Sequence, residues 1–409
     1  MAGPGAGGPR PEWRPSHNPW LIAAAVMLAT FMEVLDTSVA NVSLPHIAGN
    51  LSATTDEATW VLTSYLVANA IILPATNWLG QLFGRKRFLI ACIVLFTIAS
   101  ALCGMAGSLG FLIIARVLQG AGGGALQPIS QAVLLESFPP QKRGSAMAVF
   151  AMGVVVAPIL GPTLGGWITD NYSWRWIFYI NLPIGIFAAL MANEMIEDPP
   201  YLKRISAANI DYIGFGLLSI WLATLQYVLD KGQELDWLAS RPIVICTVLS
   251  AATFVGFVVR ELVAEHPIVD LRVLKNRNFA VGAAMILLLG ALLYGTTAIL
   301  PLFMQNMLGY TAVDAGMAMS PRGIGAFLTT IIVGRLVGKI SNRILIGIGF
   351  LLLAYSCLIL SRVNLQVSIS SVIVPVMISG VAISLIFVPL TTATMGLLSQ
   401  EQMGNATGI

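Results

Sequence analysis

Hydrophobic runs of about twenty residues, each closed by a short polar or basic stretch, recur along this chain from Trp20 onward. A run of that length crosses a bilayer as a helix and does not alternate as the strands of a membrane barrel do. The pattern places runs at about Trp20–Leu44, Ala58–Gly80, Phe88–Ala106 and Gly110–Leu135, through a glycine-proline stretch around 153–167, and at Trp176–Met195. Further runs fall at about Ile210–Leu229, Pro242–Leu262, Phe279–Phe303 and Ala315–Leu336, from Ile344, and up to Leu398. The expected fold class is therefore an all-α membrane protein of about twelve spans. None of the loops is long enough to hold a soluble domain.

One run breaks the rules of a soluble helix. In GVVVAPILGPTLGGW, Gly153, Ala157, Gly161 and Gly165 fall four apart and leave one face almost bare, with Pro158, Pro162 and Gly166 beside it. Such a helix survives its prolines in lipid only if neighbours pack closely, which a smooth stripe permits. The expectation is that two halves of a transporter close against this face. An ordinary packing face accounts for the glycines but not for two prolines in register with them.

Polar residues interrupt other runs where they are expensive. Glu33 and Asp36 stand at the middle of the first run and, with Thr37 and Asn41, form a polar flank expected to face a wet cavity. The fourth run carries Arg116, Gln119 and Gln127 around closely spaced Gly120 and Gly124, and the tenth carries Arg322. Asn41, Gln119, Gln127 and Arg322 are the candidates for lining the cavity. Glu136, Asp211 and Asp314 lie near run ends and read as solvated boundary residues.

Composition agrees with a membrane protein: 57% of the 409 residues are hydrophobic and only 10% charged, with a mean hydropathy of +0.83, where soluble chains carry about a quarter charged residues. Lys and Arg separate by side. With the tail from Met1 to Pro19 cytoplasmic, 16 of the 22 Lys and Arg fall on the cytoplasmic side and four on the other, leaving Arg116 and Arg322 in the membrane. The net charge of +3 thus reflects topology, not a patch for nucleic acid, which is excluded as a partner. The four cysteines, Cys92, Cys103, Cys246 and Cys357, stand singly in apolar runs without metal-ligand spacing and read as buried, inert thiols.

A weak internal echo pairs GQLFGRKR after the second run with GRLVGKISNR after the tenth. Duplication divides the chain into a disordered tail at 1–19, a six-helix bundle at 20–195, a cytoplasmic linker with two inserted spans at 196–278, and an incomplete second bundle at 279–409. No phosphate loop, HExxH or GxSxG is present and the three histidines stand apart, so no enzyme, metal site or cofactor is expected. Transport must draw on an ion gradient or on the substrate's own. Asp36 and Arg116 form the natural pair for proton coupling, with Glu33 as a weaker helper that could open one turn away toward the headgroups. A fixed ion pair holding two helices in register is the competing reading.

These residues resemble the major facilitator superfamily, specifically the fourteen-span drug:proton antiporters of the EmrB/QacA type. LDTSVANVSLP at Leu35–Pro45 is similar to the family's first-span motif, RVLQGAGGG from Arg116 to its fourth-span motif, and APILGPTLGG at Ala157–Gly166 to its fifth-span antiporter motif. WRWIFYINLPIG and the extra pair of spans fit the same branch. The resemblance implies two pseudo-symmetric bundles, Arg116 as a proton-relay arginine, and proton-coupled export of hydrophobic toxic compounds across an inner membrane. It also implies a partnership with a periplasmic adaptor of the EmrA kind and an outer-membrane channel. The loop motif keeps Gly84, Arg85 and Lys86, but Asn77, Gln81 and Leu82 replace the usual Gly, Asp and Arg, which predicts the loss of its charged latch. The chain stops at Ile409, about two spans short of fourteen, and a truncated form is the expectation. An importer or facilitator of a small metabolite would keep this fold without needing the fifth-span motif, and a membrane sensor would bind without translocating.

Overall fold

The computed structural model describes residues 15–139, 142–198, 211–264, 267–269 and 271–395. Most of the expected tail, Lys203, Arg204 and His266 lie outside them. Among the described residues the regular structure is helical: α1 (Pro19–Asn50), α2 (Thr55–Phe83), α3 (Arg85–Gly104), α4 (Leu109–Gly123), α5 (Leu126–Ser137), α6 (Arg143–Asn171), α7 (Trp176–Tyr179) and α8 (Asn181–Met195). These are followed by α9 (Tyr212–Lys231), α10 (Arg241–Val263), α11 (Arg277–Asn306), α12 (Ala312–Leu336), α13 (Asn342–Leu360) and α14 (Ile369–Met395). Among the described residues, eleven segments are long and apolar enough to cross a membrane, α4 with α5 and α7 with α8 each counting as one. The 29-residue α6, with its two prolines, stands beside them.

Local chemistry fixes the ends. Asn18 caps α1 by accepting from the Trp20 N–H, with Pro19 at the first helical position. Thr54 and Glu57 satisfy each other's backbone donors at the start of α2. Gly84, at φ 87°, supplies the left-handed residue between α2 and α3 that a side chain would strain. Pro45 does not end α1, which runs on to Asn50, beyond the expected end near Leu44.

Two spans are broken, and both breaks matter. The fourth turns at Gly124–Ala125 between α4 and α5, and the sixth turns at Ile180 between α7 and α8. In lipid such turns persist only where protein surrounds them. The first places Gln127, the second Asn181, against carboxylates of α1.

Helices α1–α8 share two contiguous cores, one around Ile22, Val26, Phe96 and Ile129, the other around Leu35, Leu44, Leu112 and Phe178. Helices α11–α14 pack around separate cores containing Leu289, Leu353 and Ile386, and Met319, Val372 and Val376. The inserted pair α9 and α10 packs on itself and on α2 through Ala75, Trp78, Leu218 and Phe257. The two groups meet chiefly through α6 and α12.

Candidate functional site: a buried carboxylate pair and the seam between bundles

Asp36 lies on the face of α1 turned into its own bundle and is only 2% exposed. Its Oδ2 accepts from Arg116 Nη1 at 2.6 Å. Its Oδ1 accepts from Gln119 Nε2 at 2.9 Å and from Asn181 Nδ2 at 2.6 Å. Arg116, wholly buried, also donates to Gln119 Oε1 at 2.6 Å and to the Val61 carbonyl at 2.9 Å, and lies 4.2 Å over the Tyr65 ring. Ser100 closes the network by accepting from both amides, at 2.6 Å from Gln119 and 3.0 Å from Asn181. A buried charge survives only when paired and hydrogen-bonded, and this one is both. Two groups are left over: Arg116 Nη2 and Asn181 Oδ1 have no partner among the described residues.

Glu33 sits one turn away and is 5% exposed, which corrects the expectation that it opens toward the headgroups. It accepts from Tyr65 Oη at 3.1 Å, Asn69 Nδ2 at 3.3 Å and Gln127 Nε2 at 2.9 Å, all neutral donors. The turn after α4 is what brings Gln127 within reach.

The expected wet flank of α1 is also corrected. At about 100° per residue, Asn41 and Ser38 stand roughly 140–160° around the helix from Asp36. It is these two, with Val42, that face a small cavity at the seam between bundles, of about 30 Å³. Pro158 and Pro162 of α6, Leu293, Thr297 and Pro301 of α11, and Met319 and Arg322 of α12 complete its lining. Asn41 and Arg322 line this cavity, whereas Gln119 and Gln127 hydrogen-bond the two carboxylates. Arg322 is 7% exposed and, among the described residues, donates to hydroxyls: Thr297 at 2.6 Å, Thr296 at 3.1 Å and Ser379 at 3.1 Å.

The bare stripe of α6 does not face the other bundle. A Cβ on Gly153 would meet Met27, one on Gly161 would meet Ser38, and one on Gly165 would lie 2.7 Å from Val39, all on α1. Ala157 and Gly166 are buried. The α12 contact is made by the neighbouring face with Pro162, where the glycine comes from α12: a Cβ on Gly316 would lie 2.6 Å from the Pro162 carbonyl oxygen. Next to it Thr163 and Ser320 hydroxyls are 2.6 Å apart. Both contacts lie in the second half of α6 and the first half of α12, where the two helices approach closely.

The opposite side carries the basic loop. Arg85 pairs with Glu136 at the end of α5, which corrects the reading of Glu136 as a solvated boundary residue. The Lys86 backbone N–H donates to Asp198 at 2.8 Å, and its Nζ to the Asn193 carbonyl at 2.5 Å. Charged anchoring is therefore retained through Arg85 and Lys86 despite the changed residues upstream. Nearby, Ser16 donates from hydroxyl and backbone to Glu197, holding that carboxyl below its ordinary value. Asp211, also expected to be solvated, is 5% exposed, caps α9 through the Gly214 N–H and accepts from Arg260 at 3.0 Å. Asp314 is half-buried at the capped start of α12. All four cysteines are free, Cys92 and Cys103 fully buried and the other two half-buried. No group of three or more His, Cys, Asp or Glu is placed to hold a metal among the described residues.

Asn181 and Ser100 escaped the sequence reading. Asn181 carried a signal, an amide inside an apolar run directly before Leu182 and Pro183; Ser100 carried none.

Comparison with known proteins now adds to this geometry. A family model described as Major Facilitator Superfamily matches residues 26–409. The chain is 41% identical over 391 residues to the multidrug export protein EmrB of Haemophilus influenzae, covering 95% of this chain and 76% of that protein. It is 42% identical over 390 residues to the fatty acid resistance protein FarB of Neisseria gonorrhoeae, covering 94% and 76%. In three dimensions it is similar to the crystal structure of the human organic anion transporter MFSD10 (TETRAN), with a TM-score of 0.63 at 15% identity over 96% of this chain and 89% of that one. That last likeness concerns the fold alone.

Proposed function

The chain belongs to the major facilitator superfamily, in the branch of the EmrB-type multidrug export proteins, and from that membership we propose a proton-coupled antiporter that exports hydrophobic and amphipathic toxic compounds by alternating access. It is a multi-pass membrane protein. In this reading the membrane is the inner membrane, and the basic side bearing the N-terminus, Arg85 and Lys86 is cytoplasmic.

The observation that carries the proposal is the make-up of the Asp36 site. Without a proton, Asp36 is held by Arg116, Gln119 and Asn181, and its charge ties α1 to α4. A proton on Oδ1 turns that oxygen into a donor. Asn181 can rotate its amide and present Oδ1, which has no partner among the described residues, as the new acceptor. Arg116 then keeps Gln119 Oε1 and the Val61 carbonyl but loses its counter-charge. Weakening this one tie between helices biases the bundle toward the other shape, which is the coupling that an antiporter needs. Glu33, held by neutral groups one turn away, is the helper that receives or passes the proton. Substrate enters at the seam where Asn41 and Arg322 lie, so proton and substrate act on different faces of α1.

In the state described, the bundles are closed at Gly316–Pro162 and Thr163–Ser320. Under the proposed orientation that is the far side. Where a second membrane surrounds the cell, an EmrA-like periplasmic adaptor and an outer-membrane channel would extend the route. The test is reconstitution in proteoliposomes with an imposed pH gradient. Export requires that adding a lipophilic substrate evoke proton movement, and binding without any proton flux would end the proposal.

A further inference from the structure

We propose that Glu261, at the C-terminal end of α10, is a second proton-binding site, and that its proton latches the segment through which the inserted pair runs on into the second bundle. The site is separate from Asp36 and does not depend on the antiport reading.

Glu261 is wholly buried. Its Oε2 accepts from the Val269 N–H at 2.9 Å, while Oε1 is buried with no hydrogen-bond partner among the described residues. That free oxygen faces a second carboxylate. A Cβ on Gly214 would lie 2.8 Å from both Glu261 Oε1 and Asp211 Oδ2, so the two oxygens border one small space. The cation at hand is already used, because Arg260 Nε donates to both Asp211 oxygens, at 3.1 and 3.0 Å. Arg272, beyond the segment, donates to the Leu262 carbonyl, and α2 presents Ala75, Trp78 and Leu79 to this region. Glu265, His266 and Asp270 lie outside the described residues. Two buried carboxylates beside one guanidinium carry an excess negative charge, which is costly away from water. A proton on Oε1 removes the excess and turns that oxygen into a donor aimed at the space Asp211 Oδ2 borders.

The proton holds more than one side chain. Val269, tied to Oε2, is buried with Ile268 against Ala75 of α2, Leu218 of α9 and Phe257 of α10, and Leu271 packs on the same cluster. From there the chain passes through 271–275 into α11. Glu261 therefore pins the connection between the second bundle and a helix pair docked on the first. A neutral carboxyl leaves the segment seated; an ionised one must reach water, and the segment lifts from α2. Opening releases a proton, so the latch weakens as pH rises.

The test is hydrogen exchange at 268–276 in the full chain in lipid nanodiscs, with protection taken relative to α3 at each pH from about 5 to about 9. Native protection should fall about tenfold for each pH unit over which opening releases one proton. Glu261→Gln keeps an acceptor for Val269 and a donor toward Asp211, and its protection should not change with pH. Asp211→Asn frees Arg260 to balance an ionised Glu261 and should flatten the native dependence. The inference fails if native protection does not fall with rising pH, or if Glu261→Gln follows the native curve. Should Glu261→Gln not fold, Asp211→Asn decides, and an unchanged slope overturns the proposal. Protection that follows sodium or potassium concentration at fixed pH would assign the space to a metal cation and overturn it as well.

Discussion

Replacing Asp36 by Asn tests whether the buried pair is a proton switch or a brace. The change keeps the shape and removes the charge. It leaves Arg116, which has no solvent exposure, without a counter-ion, a loss of about 3–5 kcal/mol when one partner of a buried pair is removed. Two features of this site reduce that cost. Arg116 retains Gln119 Oε1 and the Val61 carbonyl as acceptors. The new amide can donate to Asn181 Oδ1, which has no partner in the native site, returning about 1 kcal/mol. The expected net destabilisation is about 2–4 kcal/mol.

Adding Arg116→Gln removes the orphaned charge. The double variant should therefore unfold at a higher temperature than Asp36→Asn alone, with a coupling of about 2 kcal/mol between the two sites. Transport separates the roles. A switch requires a titrating carboxylate, so both Asp36→Asn and the double variant should lose substrate accumulation driven by a pH gradient, even though the double regains stability. A brace requires only good packing, so transport would return with stability. Thermal unfolding in detergent and gradient-driven uptake in proteoliposomes measure the two quantities on the same preparations. Uphill transport at the native rate by a folded Asp36→Asn, or its recovery in the double, would refute the coupling argument.

Other outcomes follow from single contacts. Gly316→Val would press a side chain on the Pro162 carbonyl and should hold α6 and α12 apart; disulfide formation between cysteines placed at Thr163 and Ser320, whose hydroxyls are 2.6 Å apart, should drop sharply, and an unchanged yield would contradict the closed seam. Glu33→Gln keeps a side chain of the same size among Tyr65, Asn69 and Gln127, so folding should survive while the pH profile of substrate exchange shifts; an unshifted profile would remove Glu33 from the proton route. Arg85→Gln breaks the pair with Glu136 and should cost about 1 kcal/mol, seen as faster amide exchange at the end of α5.

The parts of this molecule that were legible in its sequence are those where energy leaves no choice. A carboxylate and a guanidinium in the middle of apolar runs have to find partners, so the meeting of Asp36 with Arg116 could be anticipated from α1 and α4 alone. Run lengths set the number of spans for the same reason. What stayed hidden is which neighbour each face meets. Small residues four apart announce a close approach but not its target, and the stripe of α6 serves α1 while α12 supplies its own glycine at the seam. Asn181 was hidden because its position depends on the break at Ile180, a turn that only the surrounding helices make tolerable. The rotation of α1 was misjudged by treating its polar residues as one flank. They are in fact divided between a carboxylate site inside the first bundle and a polar patch on the seam. That division has a mechanical consequence. In the proposed mechanism, a helix that carries the proton site on one side and borders the substrate space on the other transmits a change in charge as a small shift or rotation of its own, with no direct contact between proton and substrate. The two bundles share an architecture but not a charge balance: the first pairs its buried arginine with Asp36, whereas among the described residues Arg322 in the second donates to three hydroxyls and pairs with no carboxylate.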